Sequence, residues 1–275
     1  MADNGGRGPY GAGAWRPRLV ALDIDGTIVD HDSVMPESVR RAVRMVADAG
    51  ARVVLATGRS WHATRDLVDH LGLPAGPSVC SNGAVIVRYP PTEVVRKVTF
   101  DPVDVIERVH RLAPHALVAV EDVGRGYLLT APFPPGDLTG EMRVVGLDEL
   151  AAAPATRVIV RDPASSPEEF LELAAQLGLH GVSYFIGWSA WLDIAPEGIH
   201  KATALADIAA RYGIAASDVL AMGDGRNDIE MLRWAGRGVA MGDAPDEVKE
   251  AADAVTGRFD DGGTVAELAR WFPLD

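Results

Sequence analysis

Short apolar runs alternate with amphipathic helical segments at both ends of this chain, and this alternation constrains the fold most. Residues 18–24 (RLVALDI) and 51–57 (ARVVLAT) are each typical of a buried strand. Between them, Pro36 opens a segment in which valines recur at helical spacing until Gly50. The alternation resumes after about residue 195. Because strands joined by helices usually pair in parallel, the pattern predicts an α/β fold with a doubly wound parallel sheet.

The middle of the chain, residues 89–190, has a different pattern. A helix followed by two strands is predicted twice, which indicates an inserted α+β domain between two halves of the sheet domain. The predicted elements are a helix at 102–113 with strands at 116–122 and 126–130, and a helix at 167–178 with strands near 182–187 and 191–194. The sheet domain, or core, is expected to comprise residues 18–88 and 191–275. Residues 1–17 are rich in glycine and are expected to form a flexible tail.

The chain is acidic, with 26 Lys and Arg against 39 Asp and Glu and a formal net charge of −13 over 275 residues. The basic residues are scattered, so the sequence lacks the basic footprint that a nucleic-acid backbone requires, and no nucleic-acid partner is expected. No apolar run approaches the roughly 18–20 residues that cross a bilayer, so no membrane partner is expected either. The oligomeric state stays open.

Cysteine usage bears on the cellular compartment. The single cysteine, Cys80, excludes an intrachain disulfide and argues against a thiolate zinc site. The first 17 residues lack the apolar stretch of a secretory signal. Both observations favour a cytoplasmic location.

Polar side chains follow the predicted core strands at the edge where parallel sheets bind ligands. Taken singly, the aspartates could cap turns or helices, Thr57 could satisfy a turn, and Lys201 could be an ordinary surface lysine. Their joint occurrence at strand ends favours one shared site. The clusters are Asp23-Ile24-Asp25-Gly26-Thr27, Thr57-Gly58-Arg59 and Gly223-Asp224-Gly225-Arg226-Asn227-Asp228, with Lys201 at the start of the helix that follows the insert.

The segments DIDGT, ATGR, the Lys201 helix start and GDGRND resemble the four motifs of the haloacid dehalogenase superfamily. Three further pieces resemble its Cof-like, subclass IIB branch of sugar phosphatases: residues 81–84 (SNGA), 196–201 (PEGIHK) and 238–242 (GVAMG). The motifs extend from residue 23 to residue 242. The resemblance implies a Rossmann-like core, with the α+β insert as a cap. It also implies a phosphatase for a small phosphorylated metabolite, with a sugar phosphate expected.

The resemblance implies a role for each motif residue, and the chemistry of phosphoryl transfer agrees with these roles. Asp23 would be the nucleophile that forms an aspartyl-phosphate, and Asp25, two positions on along an extended chain, the general acid and base. Mg²⁺ prefers oxygen ligands. Its ligands would be Asp23, Asp25 through its backbone carbonyl, Asp224, and Asp228 as a ligand or a support. The phosphoryl group and substrate would be held by Thr57, Gly58 and Lys201, with Asn82 and Asn227 as weaker candidates.

Two positions depart from the pattern of the branch. Ala202 stands where a glycine commonly follows the motif lysine, which is harmless at a helix start. Asp243 stands where Asn is usual after GVAMG. An added acid near the site could repel an anionic group or bind a second cation, so transfer of a substrate by analogy is less safe.

Other functions were weighed against the phosphatase. A calcium-binding EF-hand is rejected because glycine falls at position four of the loop and Val34 at position twelve. Dinucleotide and P-loop motifs are rejected because neither full glycine pattern is present. A dehalogenase is disfavoured because Asp25 and Asp224 suit phosphate chemistry. A phosphomutase or other phosphotransferase, and a non-catalytic binder of a phosphorylated metabolite, stay open as alternatives.

The insert offers two sets of candidate substrate contacts. Trp188 and Trp191 could stack on a ring, but packing within the core or hinge is favoured. Around the tight turn at Gly124, Glu121, Asp122 and Arg125 could face the substrate, but a solvated hairpin tip is favoured.

Overall fold

The computed structural model describes residues 15–177, 182–186 and 190–272. Within these residues the strands are β1 (Leu19–Leu22), β2 (Arg52–Leu55), β3 (Gly76–Cys80), β4 (Val85–Tyr89), β5 (Glu93–Lys97), β6 (Leu117–Asp122), β7 (Gly126–Leu129), β8 (Glu141–Val144), β9 (Val158–Arg161), β10 (Val182–Ile186), β11 (Trp191–Pro196), β12 (Val219–Gly223), β13 (Arg237–Ala240) and β14 (Ala254–Val255). The helices are α1 (Glu37–Asp48), α2 (Trp61–Leu71), α3 (Val103–Leu112), α4 (Leu147–Leu150), α5 (Pro167–Leu177), α6 (Lys201–Arg211), α7 (Ile229–Trp234), α8 (Asp246–Ala251) and α9 (Gly263–Trp271). Short 3₁₀ turns lie at Ser81–Gly83, Ala216–Asp218 and Arg226–Asp228.

The core is built on a parallel sheet in the order β14-β13-β12-β1-β2. Alternate residues of β1 face opposite sides of this sheet. Val20 and Leu22 pack among residues of α1, α2 and α9. Leu19 and Ala21 pack among residues of α6, α7 and α8 on the other side. Helices therefore cover both faces, which explains why β1 is apolar throughout and confirms the predicted doubly wound α/β core.

The insert carries a second sheet in the order β10-β11-β9-β6-β7-β8, antiparallel except for the pair β7–β8. Helices α3, α4 and α5 pack on one face through side chains such as Val109, Leu150 and Phe170. The opposite face presents Tyr127 and Trp191 to a cavity shared with the core. The units α3-β6-β7 and α5-β10-β11 repeat the expected helix–strand–strand order, which confirms an α+β cap.

The strand pairing does not follow the expected cap limits of residues 89 and 190. Strand β5 pairs with β4, in an antiparallel sheet with β3, so residues 93–97 extend the core side. Strand β11 pairs with β9 and β10, so residues 191–196 belong to the cap sheet. No strand is predicted from the sequence at 93–97, and the apolar pattern of β11 specifies a strand but not the strand beside it.

The start of the chain is described only from Trp15 onward, so most of the expected tail at 1–17 lies outside the described residues. Trp15 donates from its indole nitrogen to the Ser217 carbonyl at 2.9 Å and meets the Trp271 ring edge-on at 4.8 Å. The last residues of the expected tail therefore pack on the core. None of the helices in the described ranges is both long and apolar enough to traverse a membrane.

Candidate active site

The loop after β1 places Asp23 at the carboxyl end of the central strand. Its backbone amide donates to the Met222 carbonyl of β12 at 3.0 Å, and Asp23 is only 5% exposed. The chain then turns at Gly26, where φ is +70° and a Cβ atom would lie 2.4 Å from a carboxylate oxygen of Asp224. Glycine at this position therefore lets the first motif approach Asp224 closely.

Lys201, the first residue of α6, links two of the acids. Its ammonium group donates to Asp23 Oδ1 at 2.5 Å and to Asp228 Oδ1 at 2.7 Å. The lysine is fully buried. Burial lowers the pKa of Lys201, but attraction to Asp228 and Asp23 outweighs this effect and raises the pKa overall. Lys201 therefore stays charged, and it is not the surface lysine of the alternative interpretation.

Asp23, Asp224 and Asp228 form a carboxylate cluster, in which one oxygen atom from each residue lies within 4.8 Å of the other two. Burial, and then repulsion by Asp228, raises the pKa of Asp23 well above its ordinary value. The same two causes raise the pKa of Asp224 to about 7. Three carboxylates against the single Lys201 ammonium leave two negative charges when all are ionised.

A divalent cation fits this cluster on two grounds. It would balance the two excess negative charges, and carboxylate oxygens are the donors that Mg²⁺ prefers. Asp228 is also fixed in place, because its Oδ2 accepts hydrogen bonds from the amides of Asp224 and Gly225 at 3.1 and 2.9 Å. The side chain of Asp25 is not part of this cluster, and its backbone carbonyl stays a predicted metal ligand.

The residues predicted to hold the phosphoryl group meet beside the cluster. Thr57 is fully buried, and its hydroxyl accepts from the Arg59 amide at 3.0 Å. The backbone amide of Asn82 donates to the Thr57 carbonyl at 3.1 Å, and its side-chain oxygen accepts from the side-chain amide of Asn227 at 2.9 Å. A Cβ on Gly58 would lie 3.1 Å from the same Asn82 oxygen. The topology thus brings these predicted contacts into one patch.

Asp25 has a different environment from Asp23. Its side chain is 58% exposed and accepts two hydrogen bonds from Arg59, at 2.9 Å from Nε and 2.5 Å from Nη2. Arg59 also donates to the Ser33 hydroxyl at 2.7 Å. The sequence reasoning assigned no role to Arg59, although its position directly after Thr57-Gly58 was the available signal.

Core and cap together enclose a cavity of about 420 Å³. Asp23, Asp25, Gly58, Asp224 and Asn227 reach its wall, whereas Thr57, Asn82, Lys201 and Asp228 do not. From the cap, its wall includes Tyr127, Gly136, Asp137, Leu138, Thr139, Arg157, Trp191 and Asp193.

Arg157 and Asp193 form a buried ion pair in the cap wall that sequence reasoning missed. The guanidinium donates to the carboxylate from Nε at 2.6 Å and from Nη2 at 2.9 Å. Its Nη1 donates to the hydroxyl of Tyr127 at 3.3 Å. A charged residue at each end of the apolar stretch of β9, and one inside β11, was the signal that could have pointed to such a pair.

The expectation that Glu121 lies at a solvated hairpin tip is wrong. Glu121 is buried, and its Oε2 accepts from Ser81 of the core at 2.6 Å and from Thr156 at 3.2 Å. Burial raises the pKa of Glu121, with partial compensation by Arg157. Strand β6 continues through Glu121, so the side chain points between cap and core. Asp122 and Arg125 are exposed as expected, at 45% and 75%.

The remaining sequence expectations concern residues at the margins of the site. Trp191 lines the cavity and packs edge-on against Phe133 at 6.4 Å. Trp188 lies outside the described residues. Asp243 is absent from the described cavity wall and accepts from Arg258 Nε and the Phe259 amide at 2.7 and 2.8 Å. Arg258 therefore neutralises the added acid that could have repelled an anionic group or bound a second cation.

Comparison with known proteins identifies the family. Residues 20–268 match the model of the haloacid dehalogenase-like hydrolases. The 5-amino-6-(5-phospho-D-ribitylamino)uracil phosphatase YcsE of Bacillus subtilis is 30% identical over 258 residues, which are 92% of this chain and 95% of that protein. The pyridoxal phosphate phosphatase YbhA of Escherichia coli is 29% identical over 260 residues, 87% and 93% of the two chains.

A solved structure agrees with this family. The subclass IIB sugar phosphatase BT4131 superposes with a TM-score of 0.79 at 23% identity, over 92% of this chain and 98% of that one, and so shares its fold. Family match, relatives and fold point the same way. The chain belongs to the haloacid dehalogenase-like hydrolases, and it is a phosphatase.

Proposed function

We propose that this protein is a magnesium-dependent phosphatase that hydrolyses a small phosphorylated metabolite, a sugar phosphate, through an aspartyl-phosphate on Asp23. One observation carries the proposal. A buried aspartate at the cavity wall lies at the carboxyl end of the central strand, accepts a hydrogen bond from a buried lysine, and is clustered with two further acids. The proposal also includes the cytoplasm as the site of action.

Asp23 would attack phosphorus, form a bond to it and release the alcohol part of the ester. Burial and Asp228 raise the pKa of Asp23, and Lys201 supports the nucleophilic role because its charge opposes this rise. Lys201 and Thr57 would hold the phosphoryl oxygens, together with the amide of Gly58.

Asp25 would donate a proton to the departing alcohol oxygen and later take one from the attacking water. Its exposed position on the cavity wall supports contact with the substrate. Because Arg59 holds the Asp25 carboxylate, Arg59 would orient this group between the two steps.

Asp23, Asp224 and Asp228 would hold Mg²⁺, with the Asp25 carbonyl as a further ligand. The ion would supply positive charge against the transferring phosphoryl oxygens. Asp228 would keep the loop after β12 in place, since its carboxylate accepts hydrogen bonds from the backbone amides of Asp224 and Gly225.

The size and lining of the cavity support a small-molecule substrate. Its volume of about 420 Å³ accommodates a monosaccharide-sized ester, and the wall mixes hydroxyl, carboxylate and aromatic groups. The relatives YcsE and YbhA, named for two chemically distinct phosphate esters, support the small-metabolite class without fixing the compound.

The Asp23→Asn variant tests the proposal. The amide is nearly isosteric but is a far poorer nucleophile, so kcat for p-nitrophenyl phosphate should fall on the order of 10⁴-fold or more. Asp66→Asn is the matched control, because Asp66 is an exposed aspartate of α2 with a side chain 83% exposed. Release of inorganic phosphate is the readout, since a phosphomutase would transfer the group instead.

Two outcomes would contradict the proposal. One is a folded Asp23→Asn protein, judged by its circular dichroism melt, with kcat near that of the wild type. The other is a metal response that does not fit the proposed site, which is either full wild-type activity after exhaustive chelation or activation by Zn²⁺ but not by Mg²⁺ or Mn²⁺.

A further inference from the structure

The cations on the wall of the active-site cavity are already neutralised. Among the described residues that line the cavity, the basic ones are Arg59 and Arg157. Arg59 is paired with Asp25, and Arg157 with Asp193, each through two hydrogen bonds. The charge of each guanidinium is therefore balanced before a substrate binds.

The pair in the cap is closed to a ligand by its geometry. All three nitrogens of Arg157 have partners, two on Asp193 and one on Tyr127. The arginine is 6% exposed and the aspartate 9%. The pair also joins neighbouring strands, because Asp193 of β11 is in register with Ile159 of β9. A ligand anion would have to displace a buried, bidentate carboxylate to reach this arginine.

The charges around the cavity sharpen this point. Its described wall has five carboxylates, from Asp23, Asp25, Asp137, Asp193 and Asp224, against the two arginines. Just behind the wall, Lys201 pairs with Asp23 and Asp228, and Arg161 pairs with Asp137. These six carboxylates exceed the four cations by two charges, which a divalent cation would balance, and the buried Glu121 close to Arg157 adds no positive charge. The phosphate ester would use that cation, and both arginines of the wall are already paired with carboxylates when a second anion arrives.

We propose that Asp193 blocks Arg157 as an anion receptor and thereby restricts the leaving group to compounds without a second phosphate or carboxylate. This inference rests on the proposed function, because it concerns the leaving-group side of the same site. Asp193 is a specificity residue: its carboxylate rejects substrates whose distal end is anionic. A neutral polyol or heterocycle is accepted, since carboxylates and the Thr139 hydroxyl accept its O–H and N–H groups and Trp191 offers a ring face.

The wild-type protein tests the inference with matched pairs of phosphate esters. The pairs are sorbitol 6-phosphate with 6-phosphogluconate, fructose 6-phosphate with fructose 1,6-bisphosphate, and glycerol 3-phosphate with 3-phosphoglycerate. In each pair, the ester with the neutral leaving group should have a kcat/KM about 10²-fold higher, because a second anionic group would face the carboxylates of the cavity wall and like charges in juxtaposition are costly. Where a compound is not turned over, its inhibition constant against p-nitrophenyl phosphate replaces kcat/KM.

Asp193→Asn should reduce the ratio of kcat/KM values within each pair by at least about 10-fold, because it removes the carboxylate that neutralises Arg157 on the cavity wall. Asp137→Asn is the matched control. It removes one negative charge from the same wall, but its partner Arg161 is absent from the described lining. The control should change the preference less than about threefold. A thermal melt reports folding of both variants, and the wild-type comparison stands even if Asp193→Asn does not fold.

The outcomes separate the inference from the proposed function. Absence of any p-nitrophenyl phosphate hydrolysis contradicts the proposed function. If that ester is hydrolysed, but the esters with a second anionic group have a kcat/KM equal to or above that of the esters with a neutral leaving group, only the inference is overturned. Equal effects of Asp193→Asn and Asp137→Asn also overturn it, because they would reflect general charge and not the release of Arg157.

Discussion

At the scale of single residues, two aspartates two positions apart have opposite surroundings. Asp23 is buried against Lys201, whereas Asp25 is mostly exposed and held by Arg59. Paired carboxylates in different environments are the usual arrangement where one acts as nucleophile and the other as acid and base. The difference arises because Asp23 still lies within the sheet edge, while Asp25 has entered the turn at Gly26.

We predict that Asp25→Asn discriminates between leaving groups. A positioned acid contributes about 10²–10⁴-fold in rate, and that help matters most when the leaving alcohol is a poor one. The first step should therefore slow more with glycerol 3-phosphate than with p-nitrophenyl phosphate, whose leaving group needs little protonation. Rapid-quench kinetics on both esters would measure this step, with Asp66→Asn as the control.

The second step provides an independent readout on the same variant. Attack by water also needs Asp25, so phosphoenzyme should accumulate and give a burst of p-nitrophenolate. Loss of the Arg59 ion pair alone would slow both esters equally. Equal slowing with no trapped intermediate would remove Asp25 from the acid–base role.

At the scale of elements, the 3₁₀ turn Ser81–Gly83 connects the two halves of the core. Gly83 has a φ of +101°, and a Cβ there would lie 2.3 Å from the His200 carbonyl, directly before Lys201. Asn82 in the same turn contacts Asn227, and Ser81 contacts Glu121 of the cap. One turn thus touches the start of α6, the loop after β12 and the cap.

We predict that Gly83→Ala destabilises the protein more than Gly50→Ala. Both glycines have positive φ, which costs an alanine about 1–2 kcal/mol. Gly50, at +87°, has open space where a Cβ would be, whereas Gly83 meets backbone. The clash should add about 1–3 kcal/mol to the loss in unfolding free energy and lower kcat, since Lys201 shifts with the start of α6. Urea unfolding and p-nitrophenyl phosphate kinetics check both effects, and equal losses for the two variants would refute this account.

Elements with a strong local pattern could be predicted from sequence, and their partners could not. The apolar run at 18–24 predicts β1 because a strand that is buried on both faces has apolar side chains at every position. The side of the molecule to which β5 and β11 belong depends on pairing with distant strands, which local periodicity does not encode. Glu121 was missed for the same reason, since its partner Ser81 is 40 residues away.

At the scale of the whole molecule, the candidate site is assembled from segments spread over the chain. The motif residues could be placed together because parallel strands end at one edge of the sheet. The Arg157–Asp193 and Asp25–Arg59 pairs could not, because each depends on which distant side chains the folded chain brings into reach. Charge neutralisation at the cavity is therefore a property of the tertiary structure and not of any motif.

The carboxylate cluster also predicts how stability depends on pH and metal. The folded-state pKa of Asp224 is about 7, against 3.8 as its ordinary value. The folded protein therefore binds more protons than the unfolded chain between these two values. The contribution of Asp224 is fully present below about pH 4 and is lost as the pH rises through about 7. Burial and Asp228 raise the pKa of Asp23 as well, which acts in the same direction.

We predict that the gain in melting temperature on adding MgCl₂ grows between pH 5.5 and 7.5. The ion competes with protons for the cluster, so it binds weakly at pH 5.5 and relieves the repulsion between carboxylates at pH 7.5. At about 100 times its dissociation constant, a ligand stabilises the folded state by about 2.7 kcal/mol, which is roughly 5–10 °C for a chain of this size. Because the readout is the difference between the melting temperatures with and without MgCl₂, the pH dependence contributed by groups that do not bind the metal, such as Glu121, cancels. Asp224→Asn should reduce both the gain and its pH dependence, with NaCl of equal ionic strength as the control. A gain that is constant over this pH range in the wild type, or unchanged in Asp224→Asn, would place the ion elsewhere.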